Sequence, residues 1–140
     1  MSGVFDRLFG GKRRPISRVT VDAELMDELL GAAQASYPRE FGALLEGSYE
    51  GDVLHITGFI LPLTLSGKDN VLMKIGMLPS TTETIGSVHS HPGSSALPST
   101  ADISFFQKRG LVHFIMANPY VRSKVRGYDR LGRAIRFSIV

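Results

Sequence analysis

The sequence predicts a single α/β (α+β) domain organised around a mixed sheet. Its 140 residues, 43% hydrophobic and 21% charged, suit one core and are too few for two independent domains. Short apolar or alternating runs of strand length outnumber helical patterns, and two helical patterns punctuate them. Fifteen glycines and seven prolines are ordinary usage, which excludes collagenous and low-complexity chains.

Residues 1–17 read as a basic, flexible tail, because Gly10, Gly11 and the Lys12-Arg13-Arg14-Pro15 run are poor material for a packed element. Phe5, Leu8 and Phe9 have the spacing of one amphipathic turn. The domain is expected over 18–140. Arg18 to Val21 reads as a strand, and Asp22 is a good N-cap for a helix over 23–35 carrying Leu25, Leu29, Ala32 and Ala33 on one stripe. That helix must stop before Pro38. Gly42 to Leu45 and Val53 to Leu63 are strands separated by the hairpin signal Glu50-Gly51-Asp52, and Val71 to Met77 is a weaker strand. Thr84 to His91 reads as a buried strand ended by Pro92-Gly93. A helix over 100–109, ending at Gly110, and an apolar strand over 111–117 follow. Lys124 to Tyr128 and Ala134 to Val140 form a terminal hairpin around Asp129-Arg130-Leu131-Gly132.

Composition removes several classes of chemistry. The chain has no cysteine, so disulfides, thiol nucleophiles and thiolate metal sites are excluded, and a transition metal would need His, Asp or Glu. No apolar run approaches the length of a membrane span and no secretory leader is evident, so the expected location is cytoplasmic. Formal net charge is +3, unevenly spread. Residues 108–136 hold eight Lys/Arg against Asp129, whereas 20–107 hold three against eleven Asp/Glu. Arg122, Lys124 and Arg126 would share one face if that stretch were extended, a surface suited to an acidic protein. No aromatic-interleaved basic motif accompanies them, so nucleic acid is not an expected partner, nor is a membrane.

The chemistry lies in His89-Ser90-His91-Pro92 and Ser99-Thr100-Ala101-Asp102. Residues i and i+2 of a strand point to the same face, so His89 and His91 present paired imidazoles at a strand end. Ser99 and Asp102 at a helix start also have the form of a capping box. Two imidazoles and one carboxylate would make a three-ligand zinc site with an open fourth position, the mark of catalytic zinc. Ser99 would be a natural hydroxyl donor beside it. His113 within its apolar strand reads as a core histidine, His55 as a packing or surface residue and Glu46 as a solvated carboxylate.

This stretch resembles the JAMM (MPN-plus) metalloproteases, whose motif is H-[ST]-H-P-x7-S-x-x-D preceded by a glutamate in a P-x-E-x-x-G-x-L-x-G segment. Pro38-Arg39-Glu40-Phe41-Gly42-Ala43-Leu44-Leu45-Glu46-Gly47 matches that segment with its glutamate at Glu40. The resemblance implies a curved mixed sheet flanked by helices, related in architecture to cytidine deaminases. It also implies one zinc on His89, His91 and Asp102, Glu40 as general base and then acid, and Ser99 supporting the tetrahedral intermediate. The implied activity is that of a minimal prokaryotic isopeptidase or peptidase, cutting after the C-terminal tail of a ubiquitin-like or sulfur-carrier protein. That tail would bind as an added strand near 66–84. The alternative is a non-catalytic MPN scaffold, a branch that lacks the histidine pair or the aspartate.

Overall fold

Residues 16–61 and 85–140 are described by the structure, a computed structural model. Strand β1 (Arg18–Val21) leads through Asp22, whose carboxylate accepts the Glu24 N–H, into helix α1 (Ala23–Ser36). Strands β2 (Gly42–Glu50) and β3 (Val53–Ile60) form the expected hairpin, and β4 (Gly86–His91) carries the histidine pair. Helix α2 (Thr100–Phe106), β5 (Val112–Ala117), a 3-10 turn (Arg122–Lys124), β6 (Val125–Asp129), β7 (Ala134–Ile135) and β8 (Ser138–Ile139) complete the chain. All eight strands lie in one mixed sheet ordered β7-β6-β5-β4-β2-β3-β1-β8. Its two edge strands are joined by Arg136 and Phe137 alone, so the sheet must curl until its edges approach each other.

The two helices cover opposite faces, as residue parity along the strands shows. Leu25, Met26, Leu29, Leu30 and Ala33 of α1 pack with Val19, Val21, Ala43, Leu45, Val88, Phe114 and Met116. Phe105 and Phe106 of α2 instead pack with Leu44, Ile115 and Tyr128. His89 and His91 lie one pleat over from Val88 and therefore open on the α2 side. Close approach of β4 to β5 needs a glycine at 86, because an added Cβ would lie 1.6 Å from the Val112 carbonyl oxygen.

Several expectations change in detail. Helix α2 ends at Phe106 rather than near 109. Its last turn tightens into i to i−3 bonds from Lys108 to Phe105 and from Arg109 to Phe106, and Gly110 then turns the chain with φ +114°. The Ala134 to Val140 stretch is not one hairpin strand. Ala134–Ile135 pairs with β6, whereas Ser138–Ile139 pairs in parallel with β1 at the other sheet edge. Arg122, Lys124 and Arg126 do not form one extended basic face, because Arg122 to Lys124 is a 3-10 turn. Arg122 makes a two-pronged ion pair with Asp27 at 2.9 and 2.8 Å, and Arg126 turns back onto the Ser123 and Val125 carbonyls. Ile16 packs on the core and the Ser17 N–H bonds the Asp52 carbonyl, so contacts with the domain begin ahead of β1. The Phe5-Leu8-Phe9 turn, the Val71 to Met77 strand and the 66–84 tail-binding segment lie outside the described residues.

Candidate metal centre

Strand β4 is held on both sides, in parallel by β5 and antiparallel by β2. His89 is 1% exposed and His91, at the strand end, is half-buried. Their Nε2 atoms stand 3.1 Å apart. The carboxylate of Asp102, one turn into α2, faces His89 with Oδ1 at 3.3 Å and His91 with Oδ2 at 3.2 Å. Two ligands of a tetrahedral zinc with bonds of roughly 2.0–2.1 Å are separated by about 3.3 Å, so these spacings fit that ion. His91 Nδ1–H donates to the Ser95 carbonyl at 3.0 Å. In the neutral ring this leaves the Nε2 lone pair aimed at its neighbours. Two imidazole nitrogens and a buried carboxylate brought this close suit a cation among them, whether a metal ion or a proton. This is the sole group of three such side chains with converging ligand atoms among the described residues.

The electrostatics agree with the geometry. Burial works to raise the Asp102 carboxyl, but hydrogen bonds from His89 and His91, together with the Ser99 N–H, outweigh it and hold the group well below the usual carboxylate range. His91 is raised, chiefly by its hydrogen bond to Asp102, against the opposing effect of burial. The capping box is also present: Ser99 Oγ accepts the Asp102 N–H at 3.0 Å while Asp102 Oδ2 accepts the Ser99 N–H at 2.9 Å. Asp102 thus helps cap the start of α2 and stays aimed at the histidines. Both readings of Ser99-x-x-Asp102 describe the same carboxylate.

Glu40 precedes β2, and pairing of Gly42 with His89, carried back two residues, sets it opposite His91. Directly opposed residues of an antiparallel pair share a face, so Glu40 joins the histidines on the α2 side. It is half-buried, and its charge contributes to raising His91. Glu46 is exposed further along β2, paired with Gly58.

Reading of the sequence assigned no task to Ser90, yet it ties the segment after Glu40 to the histidine strand. Ser90 Oγ accepts the Phe41 N–H, and the Ser90 N–H donates to the Phe41 carbonyl, both at 2.8 Å. A hydroxyl flanked by two histidines on a strand was the available signal, since it must point to the opposite face. The turn after β5 was also missed. Asn118 N–H bonds the Gly93 carbonyl, Asn118 Nδ2 the Pro92 carbonyl, and Tyr120 O–H the His91 carbonyl. His113 is the core histidine expected, stacked on Phe106 at 4.3 Å, hydrogen-bonded to Ser87 and the Gly110 carbonyl, and pushed down to about 4 by burial. His55 packs in the sheet with its Nδ1 against the Thr20 hydroxyl.

A strand-end histidine pair facing a helix-capping aspartate is a three-donor set suited to zinc. The chain belongs to the prokaryotic homologs of the JAB domain, whose family model matches residues 22–130. It is similar to a probable metalloprotease of Haloferax volcanii, 30% identical over 121 residues, covering 81% of this chain and 74% of that one. Among solved structures it is similar to a JAB1/MPN domain protein from Archaeoglobus fulgidus, at 31% identity and a TM-score of 0.68 over 89% of this chain and 98% of that one. It is likewise similar to a structure reported as JAMM, a metalloprotease-like zinc site in the proteasome and signalosome. That match has 29% identity and a TM-score of 0.63, with the same coverage of both chains. The α+β fold with a curled mixed sheet is that of these relatives, and one zinc ion suits the His89, His91 and Asp102 group. No helix among the described residues is long and apolar enough to cross a membrane.

Proposed function

We propose that this chain is a zinc-dependent peptidase or isopeptidase that cuts after the C-terminal tail of a ubiquitin-like or sulfur-carrier protein. What supports the reading is a carboxylate, Glu40, that leads into the strand paired with β4 and whose charge acts on His91, beside the three converging ligand groups. Membership of the JAB family and similarity to a probable metalloprotease support the peptidase class.

Zinc, when bound, supplies Lewis-acid polarisation of a carbonyl and lowers the pKa of water to about 7. The chain's own residues supply the remainder. Asp102 and the histidines hold their ligand atoms in place through the capping box and the Ser95 carbonyl. Glu40 takes a proton from the attacking water and passes it to the departing amine, the work of a general acid–base group. The Ser99 oxygen already accepts the Asp102 N–H, so its own proton is free to donate to the oxygen of the tetrahedral carbon.

The test is to incubate the zinc-loaded protein with the small ubiquitin-like and sulfur-carrier proteins of its own genome, offered as lysine conjugates and as linear fusions. Scission at the end of the tail is expected for at least one of them. Failure to cut any of them would overturn the substrate assignment.

A further inference from the structure

Tyr120 is the one non-glycine residue with positive φ among the described residues, at +64°. A side chain in the left-handed region is disfavoured by its own Cβ, and glycine would carry no such penalty. Such a conformation persists where the surroundings over-determine it. Around Tyr120 those surroundings are the two halves of the metal centre. Its side chain is buried, and its hydroxyl donates to the His91 carbonyl at 3.0 Å. Its ring meets Tyr37 edge-on, with centroids 6.3 Å apart at 62°, and Tyr37 lies three residues ahead of Glu40.

The backbone around Tyr120 is anchored to the same two places. Gln34 near the end of α1 donates to the Tyr120 carbonyl at 3.4 Å, and Arg122 is paired with Asp27 of α1. On the other side, Asn118 bonds the Pro92 and Gly93 carbonyls that follow His91. The turn therefore links the helix that delivers Glu40 to the strand end that delivers His91.

We propose that Tyr120 is a positioning residue that fixes the place of Glu40 relative to the metal-binding histidines. The Glu40 half of the proposal rests on the proton-transfer role given to that residue above. The hydroxyl sets the His91 main chain, the ring sets the Tyr37 to Glu40 segment, and the left-handed backbone is kept because it lets one side chain reach both.

Three measurements on Tyr120→Phe and Tyr120→Gly test this. Zinc affinity is read by competition with a chromophoric chelator, ligand geometry by the visible spectrum of the Co2+-substituted protein, and kcat and KM on a linear ubiquitin-like fusion at saturating zinc. Loss of the hydroxyl alone in Tyr120→Phe should weaken zinc about 10-fold, the usual scale for groups that orient ligands, and should shift the Co2+ band. Tyr120→Gly relieves the backbone but removes the ring, so its kcat should fall further than that of Tyr120→Phe, with KM little changed. A residue that merely shapes a turn predicts the reverse: a glycine variant at least as stable as wild type, with zinc affinity within twofold and an unchanged Co2+ spectrum. That result would overturn the proposal. If the glycine variant does not fold, unchanged zinc affinity in Tyr120→Phe overturns it alone. The zinc and cobalt readings need no substrate, so full activity in Glu40→Gln would remove the role of Glu40 without altering them.

Discussion

In Ser99→Ala a single oxygen with two tasks is deleted, and the structure separates their magnitudes. As the N-cap of α2, that oxygen accepts the Asp102 N–H at 3.0 Å. Loss of a serine cap costs about 1 kcal/mol, and because Ser99 is exposed, water can satisfy the freed N–H and keep the cost near or below that value. For a chain of this size the melting temperature should fall by about 3 °C. The Ser99 main-chain N–H still bonds Asp102 Oδ2 in the variant, since that bond uses no side-chain atom of residue 99. Asp102 therefore stays aimed at the histidines, and zinc affinity should change less than threefold. The catalytic effect is larger, because losing one donor to a developing oxyanion lowers kcat by about 10²–10³ with KM nearly constant. Calorimetry, chelator competition and steady-state kinetics on one preparation give all three numbers. Full kcat with a lowered melting temperature would leave Ser99 as a cap only and refute the donor role. Loss of zinc would refute the inference that the backbone bond alone holds Asp102.

His113 predicts an acid-sensitive stability. Its folded value is depressed to about 4 from an unfolded 6.5, so the unfolded chain binds the proton first. Stability is full above 6.5 and is lost as the pH falls toward 4, by on the order of 3 kcal/mol in all. His91 is shifted the other way, so the contribution is read from urea unfolding as the difference between wild type and His113→Gln. An equal pH slope in both proteins would count against a neutral buried imidazole. Gly86→Ala should fail to fold or lose well over 3 kcal/mol, since its Cβ would meet backbone rather than a movable side chain; a melting temperature within a few degrees of wild type would contradict the close approach of β4 and β5. Glu46→Gln should leave zinc content and turnover unchanged, and a dead Glu46 variant would mean that the base had been placed on the wrong glutamate.

The site was more legible in the sequence than the outer fold, for physical reasons. Strand periodicity alone puts His89 and His91 on one face, and a serine three residues before an aspartate marks a helix start whose geometry fixes where the carboxylate points. Glu40 came from the resemblance of its segment and not from any spacing of its own. What escaped depends on partners distant in sequence. Nothing local tells that Arg122 pairs with Asp27, or that Tyr120 reaches His91 and Tyr37. The stretch 134–140 has ordinary strand character, yet its two halves pair with different edges of a curled sheet, and the curl is a property of the whole chain. The early end of α2 is similar, because Lys108 and Arg109 suit a helix and the chain leaves it only to enter β5 through Gly110.

Turnover and bound zinc measured together in Glu40→Gln test the central claim most directly. Glutamine keeps the shape of the side chain but cannot carry the proton. About one zinc per chain is expected in both proteins, with turnover of a cleavable ubiquitin-like fusion at least ~100-fold lower in the variant. Wild-type turnover in the zinc-loaded variant would contradict it.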